Sequence, residues 1–221
     1  MKIEGVIFDM DGVVLNTEHW FLDSWHKVEE QFGFAVNWDL VPLLLGANDA
    51  DASRVFTEIC GSREMADRVN QWQLDTFYKE SEQYGIQLMP GFLELLAYLQ
   101  KEKIPMVLAS STTMTGILES FKKCPIENPF THIISGDMVT HSKPNPEIFL
   151  RAADMIGVPI SNCLILEDSY NGVYGGLSAG AITIMIPDTL PATDDIKAKA
   201  YRVCASLNDI IPIIKKSREQ S

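Results

Sequence analysis

The chain has 221 residues, a length that allows one large domain or one domain with a smaller insertion. Hydrophobic residues make up 46% and charged residues 22%, which is typical of a globular protein and excludes disordered or collagen-like structure. Thirty acidic against eighteen basic residues give a formal charge of −12, which would repel a nucleic-acid backbone. We therefore expect no nucleic-acid partner.

No segment of the sequence has the character of a signal or a membrane span. The first apolar run is short and is interrupted by Glu4, Asp9 and Asp11, unlike a secretory signal. No window approaches the roughly 18 apolar residues that are needed to cross a bilayer. The four cysteines lie far apart and no histidines have zinc-binding spacing, which indicates reduced thiols. These features predict a soluble cytoplasmic protein with no membrane partner.

Short apolar runs of strand length recur along the chain. They are nearly continuous rather than alternating, which is typical of parallel strands that helices cover on both faces. In chain order the predicted strands are Ile3–Phe8, Pro105–Ala109, His132–Ser135, Cys163–Leu166 and Ile182–Ile186, with Arg202–Ala205 as a candidate edge strand. Helical periods separate them. This alternation predicts an α/β fold with a Rossmann-like parallel sheet flanked by helices.

The segment after the first strand breaks this alternation, because residues 17–85 contain helical stripes and no convincing strand. Two stripes are evident: Phe21, Trp25, Val28 and Phe32, and Met65, Val69 and Trp72. We interpret them as the core of a small helical unit. The sequence thus predicts an α/β core domain of residues 1–16 and 88–221, with an inserted helical cap domain of residues 17–87.

Two carboxylates follow the first predicted strand, in the run Asp9-Met10-Asp11-Gly12. Open parallel sheets bind ligands beyond the carboxyl ends of their strands, so Asp9 and Asp11 lie where a site is expected. Calcium-binding loops also contain Asp-x-Asp. They need an oxygen ligand at the fifth position and Glu at the twelfth, where this chain has Val13 and Trp20. The calcium interpretation is therefore rejected.

Hydroxyl and ammonium groups follow the next predicted strands. Ser110 and Ser111 open a run of four hydroxyl residues before a helix, a suitable place for phosphate binding. Such residues are also ordinary helix caps, so this signal is weak by itself. Lys143 precedes Pro144, which restricts its backbone and indicates a placed charge rather than a freely solvated one.

Glu167 and Asp168 add two acids at the end of the fourth predicted strand. Together with Asp9 and Asp11 they would repel one another unless a hard cation lay among them, and Mg²⁺ prefers such oxygen ligands. The sequence therefore predicts that these four acids hold Mg²⁺. Carboxylates, hydroxyls, a lysine and Mg²⁺ are the groups that phosphoryl transfer through an aspartyl-phosphate requires.

These segments together resemble the four motifs of the haloacid dehalogenase superfamily. The matching residues are Asp9-x-Asp11-Gly12 followed by Thr17, then Ser110, Lys143-Pro144, and Glu167-Asp168-Ser169 with its glycine-rich helix. The helical insert after the first motif resembles the subgroup that contains β-phosphoglucomutases and small phosphatases. The resemblance implies a helical cap over a Rossmann-like core.

The resemblance also implies roles for individual residues. Asp9 would be the nucleophile, Asp11 the general acid and base, and Ser110 and Lys143 the phosphate ligands. Asp9, the Asp11 carbonyl oxygen and Asp168 would bind Mg²⁺, while Glu167 would act through water or position Lys143. The substrate would be a small phosphorylated metabolite.

Two reactions remain open under this resemblance: hydrolysis of a phosphomonoester, expected to be a sugar phosphate, and transfer by a phosphosugar mutase. β-Phosphoglucomutases hold a second phosphate with a Lys-Gly-x-x-Arg cap loop, and the matching residues 45–49 lack both cations. Residues 17–85 carry five basic and thirteen acidic residues, a net charge of −8. We therefore expect hydrolysis, with Phe21, Asn48 and Arg54 as candidate substrate contacts.

Three other activities receive less support. A haloacid dehalogenase has no need of Asp11, and a phosphonatase would need a Schiff-base lysine in the cap, where only Lys27 and Lys79 occur. A non-catalytic phosphoacceptor similar to a response-regulator receiver also uses Asp, Ser or Thr, and Lys on a parallel sheet. Receivers lack a cap and carry the phosphorylated Asp on a later strand.

Overall fold

The computed structural model describes residues 2–45 and 49–219. Within these ranges a single sheet contains β1 (Gly5–Phe8), β2 (Met106–Ala109), β3 (Ile133–Ile134), β4 (Cys163–Glu167), β5 (Ile182–Met185) and β6 (Arg202–Val203). The strand order is β3-β2-β1-β4-β5-β6, and every neighbouring pair is parallel. The predicted Rossmann-like sheet is confirmed, and each predicted strand overlaps an observed one.

Helices flank the sheet and fill the insert. The insert between β1 and β2 contains α1 (Glu18–Phe32), α2 (Asp49–Cys60) and α3 (Arg63–Tyr84). The remaining helices are α4 (Phe92–Lys101), α5 (Met114–Lys122), α6 (Glu147–Met155), α7 (Tyr170–Ala179), α8 (Asp194–Lys199) and α9 (Ile210–Glu219). Over the ranges that the structure covers, none of these helices has the length and apolar character that a membrane crossing requires.

The central strands are buried on both faces, as their continuous apolar sequence predicts. Because side chains alternate across a strand, Val6 and Phe8 belong to one hydrophobic cluster, while Ile7 between them belongs to another. Helices α4 and α9 contribute Phe92, Leu95 and Ile214 to the first cluster, and α6 contributes to the second. Each face of the sheet therefore has its own layer of helices.

The insert has a separate hydrophobic cluster. Trp25, Val28 and Val69 are buried in it, and Phe21 and Trp72 pack against it. Every member of the two stripes noted in the sequence lies in this cluster or contacts it, so the interpretation of the stripes as helical core is confirmed. The division into domains at residues 16 and 87 stays a prediction.

The register of the strands brings their ends to a common level. Phe8 pairs with Leu108 on one side and with Leu166 on the other. One edge of the sheet, which we call the carboxyl edge, therefore carries the residues at the ends of these strands. They are Asp9, Ser110 and the two acids after Leu166. The chain leaves β1 toward β2 and later returns on the other side through β4, and such reversals are where open sheets bind ligands.

Candidate active site

A cavity of about 400 Å³ lies between the carboxyl edge and helices α1 and α3. Seven of the site residues predicted from the sequence line it: Asp9, Asp11, Phe21, Ser110, Ser111, Lys143 and Asp168. The insert supplies the opposite wall, including Trp20 and Phe77, whose rings meet edge to face at a centroid distance of 5.4 Å. The side of the cavity at the carboxyl edge, which we call the floor, is therefore polar, and the opposite wall, which the insert forms, is partly aromatic.

Lys143 is the central cation of the floor, with only 2% of its surface exposed. Its Nζ donates hydrogen bonds to Asp9 Oδ1, to Glu167 Oε1 at 2.6 Å and to the carbonyl oxygen of Ala109 at 3.1 Å. Burial alone would lower the pKa of the ammonium, but Asp9 and Glu167 outweigh it and hold that pKa above its usual value. Lys143 is therefore a permanent positive charge beside Asp9.

Glu167 is fully buried, and protein donors occupy both of its carboxylate oxygens. Oε1 accepts from Lys143, while Oε2 accepts from the backbone N–H groups of Asp168 and Ser169, each at 3.1 Å, and from the Ser169 hydroxyl at 3.0 Å. A Cβ atom at Gly172 would lie 1.8 Å from the Glu167 carboxyl carbon. Glycine there lets α7 pass over this carboxylate, which accounts for part of the glycine-rich helix.

Asp11 is held by two threonine hydroxyls. Thr17 Oγ1 donates to Oδ1 at 2.7 Å, and Thr112 Oγ1 donates to Oδ2 at 3.1 Å. Burial raises the pKa of Asp11, and the two hydroxyls offset only part of that rise. A carboxyl group with a raised pKa suits proton transfer near neutral pH.

The four predicted acids do not form a single group. One oxygen from each of Asp9, Glu167 and Asp168 lies within 4.8 Å of the others, and the Asp11 carboxylate, which the two threonines hold, is not part of this group. Burial raises the pKa of Asp9 to about 8, although Lys143 opposes the rise. Burial and the nearby Glu18 raise the pKa of Asp168 well above its ordinary value. The site therefore holds more buried acid than Lys143 can neutralise.

Glu18 is a buried acid that the sequence analysis missed. Its Oε2 has no hydrogen-bond partner in the described part of the chain, and it lines the cavity. The helix dipole favours an acid in the first turn of any helix, so the position of this residue after Thr17 carries no functional signal in the sequence. A Cβ atom at Gly12, where φ is +74°, would contact both Asp168 and Glu18. Glycine at this turn therefore allows the two acids to approach the first motif.

The three predicted substrate contacts have different outcomes. Phe21 lines the cavity. Arg54 lies on α2 with its side chain exposed and is not among the described lining residues. Asn48 falls outside the described residues. Gln73 and Ser24 line the cavity too and were not recognised in the sequence, because a helical Gln or Ser carries no local sign of what it faces.

Replacing Lys143 by methionine is expected to destabilise the fold by about 3–5 kcal/mol, because it leaves the Asp9 and Glu167 carboxylates buried without their cation. Urea unfolding at neutral pH measures the change. Lys122→Met is the matched control, since Lys122 forms an exposed pair with Glu119 and should have little effect. Equal stability of the two variants would contradict this account of Lys143.

The fold and the acidic group define the class of protein. The model of the family described as "Haloacid dehalogenase-like hydrolase" matches residues 6–186, which include every residue of the carboxyl edge described above. The chain belongs to this family. Together with phosphatases among its relatives, this membership makes it an enzyme of the phosphatase type.

Relatives agree with this assignment, and a solved structure shares the fold. A "Phosphorylated carbohydrates phosphatase" of Thermotoga maritima is 29% identical over 181 residues, covering 80% of this chain and 82% of the relative. A "Probable pseudouridine-5'-phosphatase" of Drosophila melanogaster is 31% identical over 220 residues, covering 96% and 93%. The structure of a β-phosphoglucomutase from Clostridium difficile superposes with a TM-score of 0.80 at 22% identity, covering 99% and 98%, and so shares the fold.

Proposed function

We propose that this enzyme is a Mg²⁺-dependent phosphohydrolase that cleaves small phosphomonoesters through an aspartyl-phosphate on Asp9. The observation that carries the proposal is the buried contact of Asp9 with Lys143 at the floor of a cavity that Asp11 and the Ser110 segment also line. A nucleophilic carboxylate, a fixed cation and a proton donor are then present in one site.

The residues of the site fit a bound Mg²⁺. Three buried acids, Asp9, Glu167 and Asp168, approach one another with Lys143 as the one lysine or arginine among the described lining residues. Because Glu167 already binds protein donors through both oxygens, we assign direct ligation to Asp9, Asp168 and the Asp11 carbonyl oxygen, and we assign Glu167 to positioning Lys143. When bound, Mg²⁺ would offset the electrostatic repulsion between the attacking carboxylate and the phosphate.

The side chains account for both half-reactions. An oxygen of Asp9 attacks phosphorus, and the bond between phosphorus and the leaving oxygen breaks as that oxygen takes the Asp11 proton. Asp11, now a carboxylate, then takes a proton from water as that water attacks the phosphorus of the aspartyl-phosphate, which frees Asp9 and inorganic phosphate. Lys143 exchanges one of its three protein acceptors for a phosphate oxygen, and the hydroxyls of Ser110 and Ser111 bind other phosphate oxygens.

Added Mg²⁺ is expected to stabilise the protein more at about pH 8 than at about pH 5. Burial raises the pKa values of Asp9, Asp11, Glu18 and Asp168. The fold therefore binds protons more readily than the unfolded chain, and the stability that protonation provides is lost as the pH rises toward the Asp9 value of about 8. Mg²⁺ supplies the missing positive charge there. Melting temperatures with Mg²⁺ and with EDTA measure the difference.

The control for this measurement is Asp168→Asn, which removes one of the assigned ligands. Its melting temperature should respond little to Mg²⁺ at either pH. A wild-type Mg²⁺ effect that is independent of pH, or one that Asp168→Asn retains in full, would contradict the assigned site.

We also propose that the phosphoryl group passes to water rather than to a second position of a sugar. Among the described residues that line the cavity, Lys143 is the one lysine or arginine, and it is already paired with Asp9 and Glu167. A mutase must hold a second phosphate, for which bidentate arginine is well suited. Supplying β-glucose 1-phosphate with a trace of the 1,6-bisphosphate tests the point: much faster formation of glucose 6-phosphate than of inorganic phosphate would overturn it.

The substrate class proposed is a phosphorylated sugar or a related small phosphate, and the insert of residues 17–87 is proposed as the cap over it. The names of the Thermotoga and Drosophila relatives support small phosphorylated compounds, and the cavity of about 400 Å³ between insert and sheet is of a suitable size.

Release of p-nitrophenol from p-nitrophenyl phosphate, dependent on Mg²⁺ and abolished by EDTA, is the direct test of this function. Continuous turnover is expected. A single burst of phosphoenzyme without release would favour the phosphoacceptor alternative, and full activity in EDTA would contradict the metal requirement.

A further inference from the structure

Gln73 on α3 is a buried amide in the wall of the cavity opposite the carboxyl edge. It is 7% exposed. Its Nε2 donates a hydrogen bond of 2.7 Å to Ser24 Oγ on α1. Its Oε1 has no hydrogen-bond partner among the residues that the structure describes. Both Gln73 and Ser24 line the cavity.

The hydrogen bonds of Ser24 indicate the orientation of the Gln73 amide. Ser24 Oγ donates its single proton to the backbone oxygen of Phe21 at 2.6 Å, so toward Gln73 it can only accept. With this hydrogen-bond arrangement the NH₂ group of Gln73 faces Ser24, and the carbonyl oxygen faces away from it. Gln73 Oε1 is consequently a buried acceptor without a partner, on a residue that lines the cavity, and an unpaired buried acceptor is unfavourable.

The surroundings of Gln73 determine what kind of group can pair with it. On the insert side the described lining includes the aromatic side chains of Trp20 and Phe77 and no lysine or arginine. A second phosphate would bring only further acceptors and negative charge to this wall. A hydroxyl on an uncharged carbon skeleton brings the required donor, and its C–H faces can contact the two rings.

We infer that Gln73 is a specificity-determining residue, which accepts a hydrogen bond from a hydroxyl on the uncharged, polyhydroxylated carbon skeleton of a monophosphate. This inference rests on the proposed phosphohydrolase function and narrows its substrate class. The same acceptor would also pair with a ring N–H of a nucleobase, so the experiment includes an arm for each source of the donor.

The test compares substrates that differ in their donors. Sorbitol 6-phosphate and hexyl phosphate have the same number of carbon atoms, but only sorbitol 6-phosphate carries free hydroxyls. Uridine 5′-monophosphate differs from ribose 5-phosphate by the presence of a base. For the wild-type enzyme we expect kcat/KM to be higher for sorbitol 6-phosphate than for hexyl phosphate. Gln73→Leu should reduce this ratio about tenfold to a hundredfold, because leucine has similar size and no acceptor.

Two further variants sharpen the result. Gln71→Leu on the same helix is the matched control, since Gln71 is exposed and bonds to Asp75, and it should leave the ratio unchanged. Ser24→Ala keeps Gln73 but removes the group that orients its amide, so it should lower the ratio in the same direction by a smaller factor. Melting curves establish whether each variant folds. If Gln73→Leu does not fold, the ratio measured with Ser24→Ala tests the inference instead.

The outcomes that overturn the inference differ from those that overturn the function. Equal wild-type kcat/KM for sorbitol 6-phosphate and hexyl phosphate would overturn the role of Gln73 while leaving Mg²⁺-dependent phosphate release intact. A preference for uridine 5′-monophosphate over ribose 5-phosphate that Gln73→Leu abolishes would overturn the hydroxyl assignment in favour of an N–H donor. No phosphate release from any substrate would overturn the proposed function and the inference together.

Discussion

Asp9→Asn is expected to lower phosphate release by about 10⁴-fold or more and to prevent formation of a phosphoenzyme, because a carboxamide is a poor nucleophile. The variant should fold, since it removes a buried carboxylate whose pKa is already raised to about 8, and Lys143 keeps its bond to Glu167. Steady-state release of phosphate measures turnover. Intact-mass spectrometry after rapid acid quenching measures phosphoenzyme.

Asp23→Asn on α1 is the matched control for this change, since Asp23 is exposed and should leave turnover unaltered. The melting temperature of Asp9→Asn should remain close to that of the wild type. A phosphoenzyme that still forms in Asp9→Asn would show that another residue is the nucleophile, and the proposed mechanism would then be wrong.

The architecture of the sheet could be predicted because its signal is local. Strands β1, β4 and β5 are buried on both faces. Such strands have continuous apolar sequences, and turn-forming residues mark their two ends clearly. The ends of the strands were less certain. β3 extends over only Ile133–Ile134, whereas the predicted strand also included His132 and Ser135, because pairing with β2 involves only the two isoleucines.

The floor of the site could also be predicted, because each of its residues follows a strand and parallel strands end at one edge. What the sequence could not give was the pairing between distant residues. Thr112 donates to Asp11 across 101 positions, and Lys143 reaches Asp9 across 134. For this reason the sequence pattern grouped the Asp11 carboxylate with the three acids that are predicted to bind Mg²⁺, whereas in the fold it accepts hydrogen bonds from the Thr17 and Thr112 hydroxyls.

The insert was the least predictable part of the site. Its stripes identified a helical core, but a helix face that lines a cavity and one that packs against a neighbour have similar sequences. Phe21 both packs against the core of the insert and lines the cavity, and Gln73 gives no sign of its position until α1 and α3 are placed together. Wall residues of this kind depend on the angle between helices, which the sequence pattern does not specify.

Asp11→Asn is expected to slow turnover by about 10²- to 10⁴-fold without preventing attack by Asp9, the usual range for loss of a general acid and base. Asparagine can keep hydrogen bonds to Thr17 and Thr112, so the geometry of the floor should survive. Two readouts separate this variant from Asp9→Asn. Phosphoenzyme should still form and should persist, because no base activates the water that hydrolyses it.

The second readout for Asp11→Asn is the dependence of the rate on the leaving group. p-Nitrophenolate leaves without a proton, whereas the alkoxide of an alkyl phosphate needs the proton of Asp11. The variant should therefore form the phosphoenzyme from p-nitrophenyl phosphate with a smaller decrease in rate than from an alkyl phosphate. Rapid-quench measurement of phosphoenzyme formation with the two substrates gives this ratio for wild type and variant. An equal loss with both substrates would mean that Asp11 does not protonate the leaving oxygen, and its buried, threonine-held carboxyl would then serve the fold of the floor rather than the chemistry.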